Sequence, residues 1–309
     1  GGYPSRVRTL DIKRQLDAAA IADVGALVDA AVRADGHRPL SDHAWLDLAH
    51  GGRPGFAGLV AWEPGHAHPV AYAQLSRRHR SWALELVVHP HHRYEISSIG
   101  PELLEAAVDL VATEGGGHLH WWVFEPTVAH DELAARVGLH PGRLLHQMRR
   151  NLPLDVVDAT PTRAFVPGRD EAAWLEVNNR AFAAHPEQGG WDLATLQSRE
   201  REPWFDPDGF RLHERDGRLA AFCWTKVHHD QQPQLGEIYV IAVHPSAHGR
   251  GLGKALTVAG LRHLANSGAT EAMLYVDAEN HGAVRLYEHL GFHTAQVDQA
   301  FRREAPVGT

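Results

Sequence analysis

The chain has little sulfur chemistry to offer, with a single cysteine, Cys223, among 309 residues. An internal disulfide is therefore excluded, and a reducing compartment, the cytoplasm, is expected. Within the apolar string Ala221-Phe-Cys-Trp224 that thiol reads as core rather than as a nucleophile. No run approaches the ~20 apolar residues that a membrane span requires. No signal peptide is visible, and Gly1-Gly2-Tyr3 reads as a processed start rather than a targeting segment. Basic blocks are missing as well. Lys and Arg number 30 against 38 Asp and Glu, for a net charge of −8, which argues against nucleic acid as a partner. Histidine is plentiful, at 24 residues. Yet His89-Pro-His-His92 and His228-His229 lie in expected loops without acidic or cysteine companions, so no metal is expected. They read as surface residues that make net charge sensitive to pH at about 6 to 7.

What is present is enough apolar material, 44% of the residues, for about two domains of ordinary size. The most informative stretch is His244-Pro-Ser-Ala-His-Gly-Arg-Gly-Leu-Gly-Lys254. It follows a strand-like run, Glu237-Ile-Tyr-Val-Ile-Ala-Val243, and enters a helical pattern through Leu252, Ala255, Leu256 and Ala259. Freed main-chain N–H groups and a helix N-terminus make such a turn an anion cradle. Gly249, Gly251 and Gly253 let a phosphate approach the backbone closely. A P-loop is excluded, because Ala255 follows Gly253-Lys254 and His248 stands where its first glycine belongs. A dinucleotide fingerprint fails because Lys254 occupies its third glycine position.

The string His248-Gly-Arg-Gly-Leu-Gly253 instead resembles the pyrophosphate loop of the GCN5-related N-acetyltransferases, with His248 where that family has Arg or Gln. The order that follows strengthens the likeness: a strand at Leu274-Tyr-Val276, then Asn280, then a helix over Ala283–Leu290 that carries Tyr287, then Gly291-Phe292. The resemblance implies an α/β fold with a mixed, mostly antiparallel sheet flanked by helices, and acetyl-CoA as co-substrate.

An internal repeat has the period of a whole domain. Val88 aligns with Val243 at an offset of 155, and Gly138 with Gly291 at 153. Two tandem copies are expected, with domains at 1–152 and 162–309 and a Pro/Asp-rich linker at 153–161. The copies are unequal. In place of the glycine cradle the first has His91-His-Arg-Tyr-Glu-Ile-Ser-Ser-Ile-Gly-Pro101, in which Glu95 would repel a pyrophosphate, and its last helix lacks a tyrosine. The N-terminal copy is therefore expected to be catalytically silent.

Acyl transfer to an amine needs a base for an ammonium of pKa ~7 to 8. By position in the family motif that base is Glu237, acting directly or through one water, and the acid for the departing thiolate is Tyr287. A main-chain N–H near Val243 is the simplest oxyanion donor. The resemblance further implies pantetheine pairing with Ile241, Ala242 and Val243, with Leu86, Val87 and Val88 as first-copy counterparts. It places the pyrophosphate on His248, Gly249, Arg250, Gly251, Leu252, Gly253 and Lys254. Asn280, His281, Gly282, Ala283, Val284 and Arg285 then border the thioester end.

The strings Asn178 to Trp191 and Glu202 to Phe210 are not required by the fold. With Trp224-Thr-Lys-Val-His228 and the tandem layout, they resemble a branch of the family that acetylates the cysteinyl amine of Cys-GlcN-inositol. That likeness implies substrate contacts at Asp42, Glu187, Lys226, Glu237 and Tyr275, with Asp42 replacing a family Glu. A small-molecule substrate and a monomer are expected. Two alternatives stay open: an acetyltransferase for another amine, such as an aminoglycoside or a peptide N-terminus, and a non-catalytic acetyl-CoA-binding regulatory module.

Overall fold

The computed structural model describes residues 7–308; the expectation for Gly1 to Tyr3 lies outside them. Two compact units emerge. One comprises the chain up to Arg143 and again from Asp298, the other Leu144–Val297.

The first unit runs β1 (Thr9–Lys13), α1 (Ala18–Asp35), α2 (Asp42–Ala49), β2 (Phe56–Trp62), β3 (Ala71–Arg77), β4 (Trp82–Val88), α3 (Ile96–Thr113), β5 (Gly117–Val123) and α4 (Val128–Arg136). Caps set the helix ends. Asp17 accepts the Ala20 N–H at the start of α1, Ser41 accepts that of Ala44 at α2, and Gly36 ends α1 in the left-handed region. The strands β1 to β4 pair antiparallel, and β4 pairs parallel with β5 over Trp82 to Leu84. The side chains of β2 to β4 are buried on both faces. One face packs Leu84 and Trp121 against Leu103 and Leu104 of α3, and the other packs Val60, Tyr72 and Val87 against α1 and α2.

The second unit contains β6 (His140–Asn151, from Leu144 onward), β7 (Arg163–Ala164), α5 (Glu171–Ala181), α6 (Leu193–Glu200), β8 (Phe210–Arg215), β9 (Arg218–His228), β10 (Leu235–Val243), α7 (Leu252–Asn266), β11 (Glu271–Asp277), α8 (His281–His289) and the start of β12 (His293–Ala305). Here β8, β9 and β10 pair antiparallel, and β10 pairs parallel with β11. Alternation along β9 divides two cores. Ala221, Cys223 and Val227 pack toward α7, while Phe222 and Trp224 join Trp174 and Val177 of α5. Buried at 0% exposure, Cys223 is held well above the usual thiol range by desolvation, which fits the core role expected of it.

The unit boundaries depart from the expected division at 152 and 162. Leu145–Asn151 pairs antiparallel with β11, and Gln299–Ala305 pairs antiparallel with β5. Each sheet thus takes its closing strand from the other repeat. A strand's period says which residues share a face, but not which neighbour completes its ladder. Residues 154–162 have no regular structure; Leu152 and Leu154 pack on the second unit's core, and Asp158 accepts a hydrogen bond from Arg262.

Candidate active site

The glycine turn after β10 is built by local rules. After β10, His244 accepts the Ser246 N–H and starts a 3-10 turn at Pro245–Ala247. His248 sends its Nε2 to the Val243 carbonyl at 3.2 Å, so its ring ties the turn to the end of the strand. Gly249 and Gly251 then adopt φ of +79° and +72°, and Gly251 starts α7 without any side-chain cap. An ideal Cβ at either glycine would meet nothing within 4 Å, so conformation rather than crowding demands glycine there. The uncapped N–H groups of α7 and the exposed Arg250 and Lys254 make this turn electropositive. Its chemistry suits the diphosphate of acetyl-CoA. Leu252 contributes main chain alone, since its side chain is buried in the core beside Leu256 and Val276.

Immediately before the turn, β10 parts from β11. Their parallel register runs from Leu235 opposite Glu271 to Ile238 opposite Leu274 and stops there. At the same point a bulge at Tyr239 shifts the register between β10 and β9. Main-chain groups alternate along β10 and the His244 N–H bonds Ala220 on the β9 side, so beyond Ile238 it is the groups of Ile241 and Val243 that are left without that partner strand, with Ala242 turned toward β9. They can take an extended ligand arm as another strand would.

Glu237 lies one residue before this parting. It is 8% exposed, third in its strand and buried, not a solvated strand opening. Its Oε1 meets His228 Nε2 at 2.8 Å. Lys226 stands directly opposite Glu237 across the β9–β10 ladder, hence on the same face. The Lys226 ammonium is 4.7 Å from the Trp204 ring and 5.8 Å from that of Tyr239, within cation–π range. His228, Trp204 and Tyr239 were missed by sequence reasoning. Alternation in Trp224-Thr-Lys-Val-His228 was the available signal for His228, since it puts Lys226 and His228 on one face.

The two unexplained strings are now accounted for. His185 Nδ1 accepts the N–H groups of Glu187 and Gln188, Asn178 donates to the Gln188 carbonyl, and Asn179 bonds both N–H and carbonyl of Trp191. These bonds hold the half-buried Glu187 in a fixed loop. The other string lays Trp204 and Phe205 on Trp224 and Tyr239.

On the far arm, Tyr275 follows the last residue of β11 that pairs with β10, is 40% exposed, and accepts a hydrogen bond from Gln147 at 3.1 Å. Tyr287 on α8 is 7% exposed beside Phe292, and burial raises its phenol well above the usual value near 10. It stays protonated and available as a donor. Asn280 caps α8 by accepting the Ala283 N–H, which occupies its side-chain oxygen; Ala283 and Val284 are half-buried, and His281, Gly282 and Arg285 exposed. Asp42 belongs to the first unit, where it opens α2.

In that unit the corresponding features are absent among the described residues. Pairing between β3 and β4 runs from Ala71 opposite Val88 to Arg77 opposite Trp82 without a bulge. The parallel pairing ends at Leu84, which makes Ala83 the counterpart of Glu237. Leu86, Val87 and Val88 lie beyond that end, but the residue capping the start of α3 is Glu95, which pairs with His92 at 3.3 Å.

Residues 173–292 match the model of the Acetyltransferase (GNAT) family. A mycothiol acetyltransferase of Acidimicrobium ferrooxidans is 46% identical over 275 residues, 86% of this chain and 88% of that protein. One of Streptomyces avermitilis is 44% identical over 313 residues, covering 98% of each chain. The chain belongs to the mycothiol acetyltransferase family. Membership extends over both units, well beyond the matched acetyltransferase model. Among solved structures, a GCN5-related N-acetyltransferase from Sphaerobacter thermophilus covers 97% of both chains at 24% identity and a TM-score of 0.66. A tandem GNAT protein from the clavulanic acid biosynthesis pathway covers 96% of this chain and 99% of its own, at 16% identity and a TM-score of 0.67. These likenesses establish the tandem α/β fold of this mycothiol acetyltransferase family member. Among the described residues no helix is long and apolar enough to cross a membrane.

Proposed function

We propose that this chain transfers the acetyl group of acetyl-CoA to the cysteinyl amine of Cys-GlcN-inositol (desacetylmycothiol), the last step of mycothiol biosynthesis. The observation that carries the chemistry is Glu237, a buried carboxylate one residue before β10 and β11 part. In this reading Glu237 takes a proton from the substrate ammonium, directly or through one water, and the freed lone pair attacks the thioester carbonyl. A main-chain N–H near Val243 receives the developing oxyanion. Tyr287 gives its proton to the thiolate as the carbon–sulfur bond breaks, and its phenolate takes back the proton that the attacking nitrogen sheds on becoming an amide. Residues 248–254 hold the diphosphate, Ile241 to Val243 the pantetheine arm, and Asn280 to Arg285 the thioester end. Lys226, Glu187 and Tyr275 contact the hydroxyl-rich acceptor. The first copy, lacking bulge, base and glycine turn, is silent in catalysis, and the second unit's chemistry is confined to the cytoplasm.

The test is acetyl-CoA consumption with purified Cys-GlcN-inositol, beside plain cysteine and an aminoglycoside. Turnover with the first acceptor, at least about a hundredfold above the others in kcat/KM, supports the reading. Equal or better turnover of either other acceptor overturns the substrate. Acetyl-CoA binding without turnover of any acceptor overturns the enzymatic reading in favour of a binding module.

A further inference from the structure

Four imidazoles of the first unit gather at a place the acetyl-transfer chemistry leaves unused. Ring centroids of His66 and His92 are 4.7 Å apart, those of His68 and His89 4.2 Å, and those of His66 and His68 5.6 Å. They come from two segments: the connection between β2 and β3, and the 3-10 turn Pro90–Glu95 after β4 with its capping residue His89. Nitrogens of His66, His68 and His92 all lie within 4.8 Å of one another.

The acidic companion that the sequence seemed to lack is Glu63, at the end of β2. Its side chain is 2% exposed. Arg8 binds its Oε1, whereas its Oε2 is buried with no hydrogen bond. A buried carboxylate oxygen without a partner is costly to the fold. That oxygen stands 3.9 Å from His66 Nε2 and 4.0 Å from His92 Nδ1, too far for hydrogen bonds. Two ligands of one zinc ion, each ~2.0–2.1 Å from it at a tetrahedral angle, are about 3.4 Å apart, so a small contraction suffices.

The tautomers also suit a metal. His68 Nδ1 lies 3.0 Å from the Pro69 carbonyl, which can only accept, so Nδ1 carries the hydrogen and Nε2 the lone pair. A backbone carbonyl behind a ligating imidazole is the usual second layer of a zinc site. His89 stays outside the ligand set: its Nδ1 accepts the His91 N–H, and its ring stacks on His68.

We propose that His66, His68, His92 and Glu63 bind one divalent transition-metal ion, with zinc the best fit to three imidazoles and a carboxylate. Four protein ligands make the site closed and structural. Binding through His92 Nδ1 replaces its 3.3 Å contact with Glu95. The turn so pinned is the repeat counterpart of the Pro245–Ala247 turn that begins the phosphate cradle in the second copy. In the first copy an ion takes over the fastening of this turn, with no part in acetyl transfer.

The experiment uses the full chain without affinity histidines, stripped by chelator, then titrated with Co²⁺ by visible absorption and with Zn²⁺ by calorimetry. One ion per chain, tetrahedral cobalt bands and a raised Tm are expected. His66→Ala and His68→Ala, both partly exposed and tolerant of truncation, should each weaken binding at least about tenfold, and Glu63→Gln likewise. His289→Ala, on exposed α8, should leave it unchanged. Absence of binding overturns the site, as does binding that persists unaltered in His66→Ala and His68→Ala.

Discussion

His228 Nε2 and Glu237 Oε1 meet at 2.8 Å on the face of the β9–β10 ladder that also carries Lys226. The pair fixes the carboxylate where β10 leaves β11, and the neighbouring Lys226 rests on aromatic rings. A buried carboxylate held by an imidazole, with a cation across the ladder, can accept a proton without first being gathered from solvent.

Glu237→Gln should lower kcat by about 10² to 10⁴ while the KM for acetyl-CoA changes less than about twofold. The loss should shrink as pH rises through ~7 to 8, because the substrate ammonium then deprotonates unaided. Steady-state kinetics across that range decide it. Turnover near neutral pH equal to the parent's would remove Glu237 as the base.

His228 is a positioning residue, so its conservative variant should matter. His228→Phe is expected to lower kcat about tenfold, and His228→Gln, which can still donate to Glu237, by less. Equal losses in both would show that only ring packing counts.

Tyr287→Phe should slow transfer about tenfold, less than loss of Glu237, since water can partly replace the acid. Burial raises the phenol of Tyr287 above ~10, so it remains a donor where an exposed tyrosine has begun to ionise. Ultraviolet titration of tyrosinate should therefore show one late-titrating phenol fewer in the variant.

Gly251→Ala places a side chain at φ +72°, a cost of about 1–2 kcal/mol. The KM for acetyl-CoA should rise about tenfold, with that of the amine acceptor little changed. A wild-type KM for acetyl-CoA would detach this turn from the cofactor.

Glu200 reports on stability. Burial, then its neighbour Glu171, raises the carboxyl from 4.5 to about 7. The folded state then holds a proton that the unfolded state has lost, so stability falls as pH rises from 4.5 through about 7. Glu200→Gln should remove that slope and stabilise the chain above pH 7 by roughly 1 kcal/mol, allowing for solvent screening. Denaturant titrations at acid and alkaline pH would expose the opposite trend.

The glycine turn before α7, the Asn280–Tyr287–Gly291 order and the repeat were legible because each depends on residues near one another in the chain. Glycines at positive φ, a helix start and a capping Asn declare themselves within a few positions. The cysteine's burial was readable for the same reason. The bulge was half-visible: Val88 and Val243 are offset by 155, Leu84 and Ile238 by 154, and Tyr239 is the extra residue.

What only the tertiary structure decided involves partners that local pattern leaves open. Periodicity showed the strands but not that β6 closes the second sheet and β12 the first. It could not bring Glu63 to His66 and His92, nor Trp204 and Tyr239 to Lys226. Which strand lies beside which, and in what register, is settled by burying all the apolar faces at once. A contact across the ladder therefore exists only after the whole sheet has formed.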